Sequence, residues 1–357
     1  MIGELSVVGS LIYYVFSFGS AALFCKLKVN KALKTALLLV FPLLLATIRY
    51  NVGYDYGSYI SGYELAADNS FESIFSTYKL GDPIGFSLLN KFSTLFNSDR
   101  AFLFFTSLFA YLPVLIIVLS DWKDKRFQSL IVFFYLFSCF IFSFSAIKQG
   151  IAMSFLLCSL KYVFDRKPIK FLILIGIAFL FHSSALVFIP VFFLWSKKEE
   201  VDTLKKIITI IVCALIIANL ELLLSVFLEG RYQSYATEIV EGQNRSFFLY
   251  LLITIVCYVF RKQLIRLDKR NDLLITLMTI GVIFQILGFF NAFTKRISDY
   301  FIMVQIFLIP QLTAVFKNRN EQQFVVILEV LYAIIMFVIA TPTAPSGMGF
   351  IPFGFKL

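Results

Sequence analysis

Long apolar runs, separated by clusters of charge, constrain the fold of this chain more than any other feature of its sequence. Of its 357 residues, 59% are apolar and 15% are charged, whereas soluble domains carry about 45–50% apolar and about 25% charged residues. A membrane-crossing helix needs about 20 predominantly apolar residues, and the runs that approach this length are 5–24, 32–48, 101–119, 128–147, 150–164, 207–228, 247–260, 273–293, 300–316 and 324–340. The sequence therefore predicts an all-α polytopic membrane protein, with residues 1–357 forming a single membrane domain.

The charge balance and the cysteines exclude other classes of protein. A net charge of +10 would suggest a polyanionic partner for a soluble protein, but the basic residues of membrane proteins mostly mark cytoplasmic loops, so no nucleic acid is implied. The five cysteines lie in apolar stretches without the spacing of a zinc site or a disulfide framework, and we interpret them as small apolar residues. No basic segment precedes the first run, which predicts a retained helix and not a cleaved signal peptide.

One segment, residues 171–195, admits two topologies. It is long enough for a single tilted span, but the basic loops before and after it would then lie on opposite faces of the membrane, against the positive-inside rule. A hairpin of two short helices that turns at His182 keeps both loops in the cytoplasm. Each half would be about 17 Å long, against a hydrocarbon core of about 30 Å. Because irregular backbone at that depth needs a surrounding cavity, we expect His182 to line a cavity that opens outward.

The hairpin leads to a topology of about twelve membrane segments with both termini outside. In this topology about two thirds of the 32 basic residues lie in cytoplasmic loops, as the positive-inside rule requires. Residues 49–100 form one long extracytoplasmic loop.

Most of the polar residues that could carry chemistry fall on the outer side of this topology. Arg49 ends the second span and opens a cluster that contains Asp55, Tyr56 and Tyr59. A cation inside an apolar stretch is a functional candidate by default, and Lys148 interrupts the apolar run from 128 to 164. Three further sets complete the candidates. Gln149 directly follows Lys148, His182 is the only histidine of the chain, and Lys295 and Arg296 lie between two late spans.

These residue types suit an anionic lipid that carries sugars. Diphosphate needs Arg or Lys donors, and tyrosine rings can cover sugars. A neutral imidazole, with an ordinary pKa of about 6.5, can accept a hydroxyl proton. Since the sequence has no acidic cluster of the Asp-x-Asp kind, we expect neither a metal nor another cofactor.

At these residues the chain resembles the EpsG family, which comprises Wzy-type polymerases of bacterial exopolysaccharide, capsule and O-antigen. The resemblance extends over most of the chain and lies in Arg49, Val52-Gly53-Tyr54-Asp55-Tyr56, Tyr59, Asp82-Pro83-Ile84-Gly85-Phe86, Ala146-Ile147-Lys148-Gln149-Gly150, Phe181-His182-Ser183-Ser184 and Arg296-Ile297-Ser298-Asp299-Tyr300. The family usually has Arg at the position of Lys148. A lysine keeps the charge there but cannot form the planar bidentate fork of an arginine.

The resemblance implies a reaction and an architecture. A growing glycan on undecaprenyl diphosphate would be transferred to the non-reducing end of a newly flipped lipid-linked repeat unit, on the outer face of the bacterial cytoplasmic membrane. The fold would be akin to the GT-C class and to O-antigen ligases. Undecaprenyl-diphosphate-linked oligosaccharides would serve as donor and acceptor, and a chain-length regulator and a flippase would be candidate partners.

Within this reaction we assign a role to each candidate. Arg49, Lys148, Lys295 and Arg296 neutralise the diphosphate leaving group, and His182 is the base. Asp55 is the alternative base, or the carboxylate that orients His182 or an acceptor sugar, and the other polar candidates contact substrate. Two other functions stay open. A lipid-linked oligosaccharide flippase would also need an outward cationic cavity, although flippases are expected to carry internal repeats, and a multispanning acyltransferase would place its residues toward the cytoplasm.

Overall fold

The fold is described from a computed structural model of the chain. It covers residues 2–78, 82–196, 204, 208, 245–289, 292–340 and 349–356, so the predicted span 207–228 lies almost wholly outside the described residues. The helices up to residue 194 are α1 (Val7–Phe24), α2 (Lys31–Ile48), α3 (Tyr56–Asp68), α4 (Phe71–Ser76), α5 (Ile84–Thr94), α6 (Asp99–Asp121), α7 (Lys125–Tyr135) with its π-helical continuation Leu136–Phe140, α8 (Ile147–Phe164), α9 (Pro168–Phe181) and a 3₁₀ helix (Ser183–Leu194). The later helices are α10 (Arg245–Val259), α11 (Arg261–Leu267), α12 (Arg270–Leu287), α13 (Ala292–Ile302), α14 (Gln305–Leu308), a 3₁₀ helix (Ile309–Val315) and α15 (Arg319–Ala340).

Within the described residues, seven helices are long and apolar enough to cross a membrane. They are Val7–Phe24, Lys31–Ile48, Asp99–Asp121, Ile147–Phe164, Arg270–Leu287, Thr294–Val315 and Arg319–Ile339. A pair bent by 73°, Ser246–Val259 with Arg261–Leu267, adds an eighth if it is one span. These helices confirm a polytopic helical membrane protein, whereas the count of about twelve segments and the GT-C-like architecture stay predictions.

The loops predicted to be cytoplasmic meet at one end of the bundle, which we call the basic end. Lys125 Nζ donates to the Leu27 carbonyl over 3.3 Å, and Arg126 donates to the Gln322 side chain over 3.1 Å. The Arg270 guanidinium lies 5.1 Å from the Trp122 ring. Loops far apart in the sequence therefore share one face, as the charge distribution requires.

The segment after α8 forms the predicted hairpin. Arg166 donates to the carbonyls of Phe192 and Trp195, so the hairpin begins and ends at the basic end. Pro168, which follows Lys167, occupies the first position of α9. A backbone N–H at this position has no partner within the helix, so proline, which lacks it, costs no hydrogen bond. The arms are α9, with 14 residues, and the 3₁₀ helix, with 12, or about 21 and 24 Å at their respective rises. They are longer than expected but still shorter than the hydrocarbon core.

Residues 49–100, predicted only as a loop, fold into the short helices α3, α4 and α5. Phe86 of α5 packs edge-on against Phe102 of α6, with the ring centroids 6.0 Å apart. Gly85 lies so close to the hairpin that a Cβ at this position would be 3.0 Å from the backbone oxygen of Leu180. This helical cap therefore links the bundle to the turn of the hairpin.

The two termini pair at the other end of the bundle, the terminal end. Strand β1 (Ile2–Glu4) is antiparallel to β2 (Gly354–Lys356), and Tyr50 N donates to the Gly354 carbonyl over 2.8 Å. The structure therefore confirms that both termini lie at the same end as the segment after Arg49.

Candidate active site

His182 lies at the turn of the hairpin, where α9 stops and the backbone becomes extended (φ −152°, ψ 115°). Its Nδ1 is 2.7 Å from Ser184 Oγ and 3.0 Å from the Tyr300 hydroxyl, and the two hydroxyls are 3.0 Å apart. Two neighbouring hydroxyls can fix the tautomer of an imidazole. Because all of these contacts are made at Nδ1, Nε2 is left without a hydrogen bond to the described residues.

The first turn of α8 brings a second motif to this site. Gln149 is buried and donates through Nε2 to the Arg296 backbone carbonyl over 2.7 Å, which ties the late cationic pair to α8. The close approach of Ser143 requires a glycine at position 150, because a Cβ there would collide with it. Lys148 is half-buried, and its ammonium lies 5.3 Å from the centre of the Phe86 ring.

Tyr59 of α3 reaches the same helix terminus. Its hydroxyl lies near the backbone of Ile147 and Lys148, and burial raises the pKa of this phenol to about 12. The group is therefore neutral under physiological conditions. The ring of Tyr59 packs 5.7 Å from that of Phe86, so the cap lies beside the N-terminus of α8.

Asp55 is exposed and precedes α3 without capping it. Partial desolvation raises the pKa of this carboxyl above its usual value, and attraction to Arg296 and then Lys148 opposes the rise. The structure therefore brings Asp55 into electrostatic range of both cations. The described residues show no hydrogen bond between Asp55 and His182, whose Nδ1 contacts two hydroxyls instead, so a role for Asp55 in orienting His182 stays a prediction.

Of the other predicted cations, Arg296 is exposed, and Lys295 is half-buried beside it. Arg49 differs, because it is only 1% exposed and its guanidinium lies 4.1 Å from the centre of the Phe144 ring. Its Nε and Nη1 have no hydrogen-bond partner among the described residues, and burial lowers its pKa to about 10, which leaves it a cation at neutral pH. Arg49 is therefore a buried cation that is enclosed by the protein, unlike the other three.

Tyr56 does not face the open site. It is 6% exposed, its hydroxyl accepts a hydrogen bond of 3.2 Å from Arg100 Nη2, and its ring packs against that of Tyr50. The same arginine donates to the Arg49 carbonyl over 2.7 Å. Tyr56 thus fixes the segment that follows α2, and the predicted contact with sugar is not visible in this arrangement.

A cavity of about 270 Å³ adjoins this site. Residues of the π-helical segment line it, among them Ser138 and Cys139, together with Tyr54, Tyr250 and Asp299. The backbone of Gly53 allows the Tyr54 segment to close over this region, because its φ of +102° suits glycine and a Cβ would collide with the Phe144 carbonyl.

Sequence reasoning missed three residues of this site, namely Ser184, Asp299 and Tyr300. All three belong to motifs that carried the family resemblance, and membership of these motifs was the only sequence feature that could have identified them. Asp299 lines the cavity, within electrostatic range of Lys295 and Arg296. Ser184 and Tyr300 are functional candidates only because the fold places both hydroxyls on the imidazole.

Comparison with known proteins gives one match. The sequence model of the EpsG family matches residues 33–355, nearly the whole chain. No curated protein and no solved structure matches the chain.

Proposed function

The chain belongs to the EpsG family, and we propose that it is the glycosyltransferase that polymerises undecaprenyl-diphosphate-linked oligosaccharide repeat units on the outer face of the cytoplasmic membrane. Family membership supports a membrane protein of polysaccharide biosynthesis. The substrate, the orientation and the residue roles are the parts that we add.

The observation that carries the proposal is the environment of the only histidine. Hydroxyls bind His182 at Nδ1, while Lys148 and Arg296 lie within electrostatic range of its ring. An imidazole with one nitrogen fixed and the other available is suited to general-base catalysis. Cations beside it suit a reaction in which negative charge develops on a leaving group.

In the proposed reaction, the acceptor sugar hydroxyl attacks the anomeric carbon of the donor. His182 Nε2 takes the proton of this hydroxyl as the new carbon–oxygen bond forms, and Nδ1–H donates to the neighbouring hydroxyl oxygens. The bond between the anomeric carbon and the diphosphate oxygen breaks, and undecaprenyl diphosphate leaves with the electron pair. Lys148, Lys295 and Arg296 neutralise the charge that develops on it.

The remaining candidates support this reaction from their observed positions. Asp55 accepts a hydrogen bond from an acceptor sugar, or serves as the alternative base. Gln149 holds the Arg296 backbone, and Tyr59 packs against Phe86 beside the start of α8. Arg49 contributes positive potential from its buried position, since at a low local dielectric a buried charge acts over a longer distance than an exposed one.

A deletion strain tests the proposal against its two rivals. A polymerase mutant accumulates single repeat units on lipid at the outer leaflet, a flippase mutant leaves them at the inner leaflet, and an acyltransferase mutant makes full-length polymer that lacks a substituent. Complementation with His182→Ala, at wild-type protein levels, should reproduce the polymerase phenotype. Wild-type polymer length and yield from this variant would refute the assignment of the base.

A further inference from the structure

The helical cap formed by α3, α4 and α5 encloses a second cavity, of about 420 Å³, outside the membrane-spanning helices. This volume lies within the range of small-molecule sites, about 300–1,000 Å³. The polar side chains that line it are Asn69, Ser73, Thr77, Tyr78, Asp82, Ser87 and Asn90. None of them belongs to the site around His182.

Asn90 gives the clearest sign that this cavity takes a ligand. Its side chain is 6% exposed, and Oδ1 has no hydrogen-bond partner among the described residues. A buried polar atom without a partner costs about 1–3 kcal/mol, so native structures rarely keep one without a reason. Gly62 of α3 lines the cavity and faces this amide, because a Cβ at Gly62 would lie 3.9 Å from Asn90 Nδ2.

The other lining groups offer both acceptors and donors. Ser73 Oγ and Thr77 Oγ1 each donate their proton to a backbone carbonyl over 2.7 Å, and Ser87 Oγ does so over 3.4 Å. Their oxygen lone pairs are therefore the atoms left for a ligand. Asn69 donates one Nδ2 proton to the Leu65 carbonyl, which leaves its amide oxygen as an acceptor and its second N–H as a donor.

A lining of amides, hydroxyls and one carboxylate suits a neutral ligand whose hydroxyls both donate and accept hydrogen bonds. An anion is disfavoured, because the described lining contains no Lys or Arg. A metal ion is disfavoured, because the described residues contain no group of three or more His, Cys, Asp or Glu side chains that could hold one. A carbohydrate meets these requirements.

The cavity and the candidate active site lie on either side of α5. Ile84 and Ser87 line the cavity, whereas Phe86 on the same helix contacts Tyr59 and the Lys148 ammonium. A helix with its side chains is about 10–12 Å across. A glycan whose reacting sugar lies at Lys148 can therefore place a more distant sugar in the cavity.

We propose that this cavity is a glycan subsite that binds sugars of the lipid-linked oligosaccharide outside the reacting pair. The inference rests on the proposed function for the identity of the glycan. It adds a binding role for Gly62 and Asn90 that catalysis itself does not require.

The test is a binding measurement on purified full-length protein in detergent. The probe is the oligosaccharide of one or two repeat units that mild acid releases from the lipid-linked pool of a polymerase-deficient strain, and binding is followed by saturation-transfer NMR. Gly62→Leu fills the cavity from a helical position where leucine is a better helix former than glycine, so the cap should still fold. Ser61→Leu adds the same side chain at the neighbouring, exposed position and is the matched control.

We expect the wild type and Ser61→Leu to bind the probe equally, and Gly62→Leu to bind it at least tenfold more weakly. Asn90→Ala, which removes the buried amide without filling the cavity, should weaken binding severalfold without lowering the thermal midpoint, because it also removes an unpartnered buried oxygen. Equal binding by all four proteins, no binding by the wild type, or binding that EDTA abolishes would each overturn the subsite. The same preparations are assayed for polymerisation, so a wild type that binds the probe but makes no polymer counts against the proposed function and not against the subsite.

Discussion

Replacing Tyr300 with phenylalanine tests whether the hydroxyls around His182 act through its imidazole. The substitution removes contacts of 3.0 Å to His182 Nδ1 and 3.0 Å to Ser184 Oγ and keeps the ring. A net hydrogen bond is worth about 0.5–1.5 kcal/mol. Since Ser184 still lies 2.7 Å from Nδ1, we expect a loss of about 1–1.5 kcal/mol of transition-state stabilisation, or about five- to tenfold in rate.

Removing both hydroxyls should cost more than either single change. In the double variant Tyr300→Phe/Ser184→Ala no described hydroxyl fixes the tautomer of the imidazole, and we expect a loss of about 30- to 150-fold, or about 2–3 kcal/mol. His182→Ala removes the base itself and should cost about 10²–10⁴. The assay is the initial rate of linkage formation from purified lipid-linked repeat units, with each variant at matched protein concentration and thermal midpoint.

The decisive comparison is made in the His182→Ala background. If Tyr300 acts by positioning the imidazole, Tyr300→Phe should cause no further loss once the imidazole is gone, because residues that act as a unit are not additive. A loss of five- to tenfold in both backgrounds would refute the reasoning, since it would mean that Tyr300 acts on the substrate directly or on the fold.

Three other predictions follow from the site. Lys148→Gln should lower the rate about 10- to 100-fold, because charged hydrogen bonds are worth about 1.5–3 kcal/mol, whereas Lys148→Arg should keep most of the activity. Equal losses of rate in the two variants would exclude a role for the charge. Because its pKa is raised, the Asp55 carboxyl becomes protonated at a higher pH than an ordinary aspartate, so activity should fall as the pH decreases through this pKa. Asp55→Asn should make the acid limb of the kcat/KM profile less steep, and an unchanged profile would show that the ionised carboxylate is not needed. Gly53→Ala should destabilise the protein by about 1–3 kcal/mol, because position 53 has a positive φ and a Cβ there would collide with Phe144. Gly57→Ala, whose Cβ would meet only open space, should not destabilise it, and thermal unfolding in detergent measures both variants.

The main features of the fold could be predicted because they depend on local composition. The apolar runs predict the long helices, and the positive-inside rule predicts the hairpin, whose ends Arg166 fixes at one face. The short helices of the cap were missed because α4 and α5 have 6 and 11 residues, fewer than a search for membrane spans detects.

The candidate site was predictable where rare residues stand in apolar surroundings. A lone histidine and a lysine within an apolar run are conspicuous, which is why His182 and Lys148 could be identified. Ser184 and Tyr300 could not, because hydroxyl side chains are common and only their distances to the imidazole distinguish them. The backbone of Arg49 pairs with that of Phe355, about 300 residues away in the chain, and no local pattern contains the information on such contacts.

Polymerisation by the purified protein tests the central claim most directly. The full chain is reconstituted in detergent with fluorescently labelled lipid-linked repeat units, and the products are separated by size. The account predicts a ladder of oligomers with release of one undecaprenyl diphosphate for each linkage, and no ladder with His182→Ala at equal protein. A wild-type protein that leaves every repeat unit unlinked under these conditions, or a His182→Ala variant that makes the same ladder at the same rate, would contradict it.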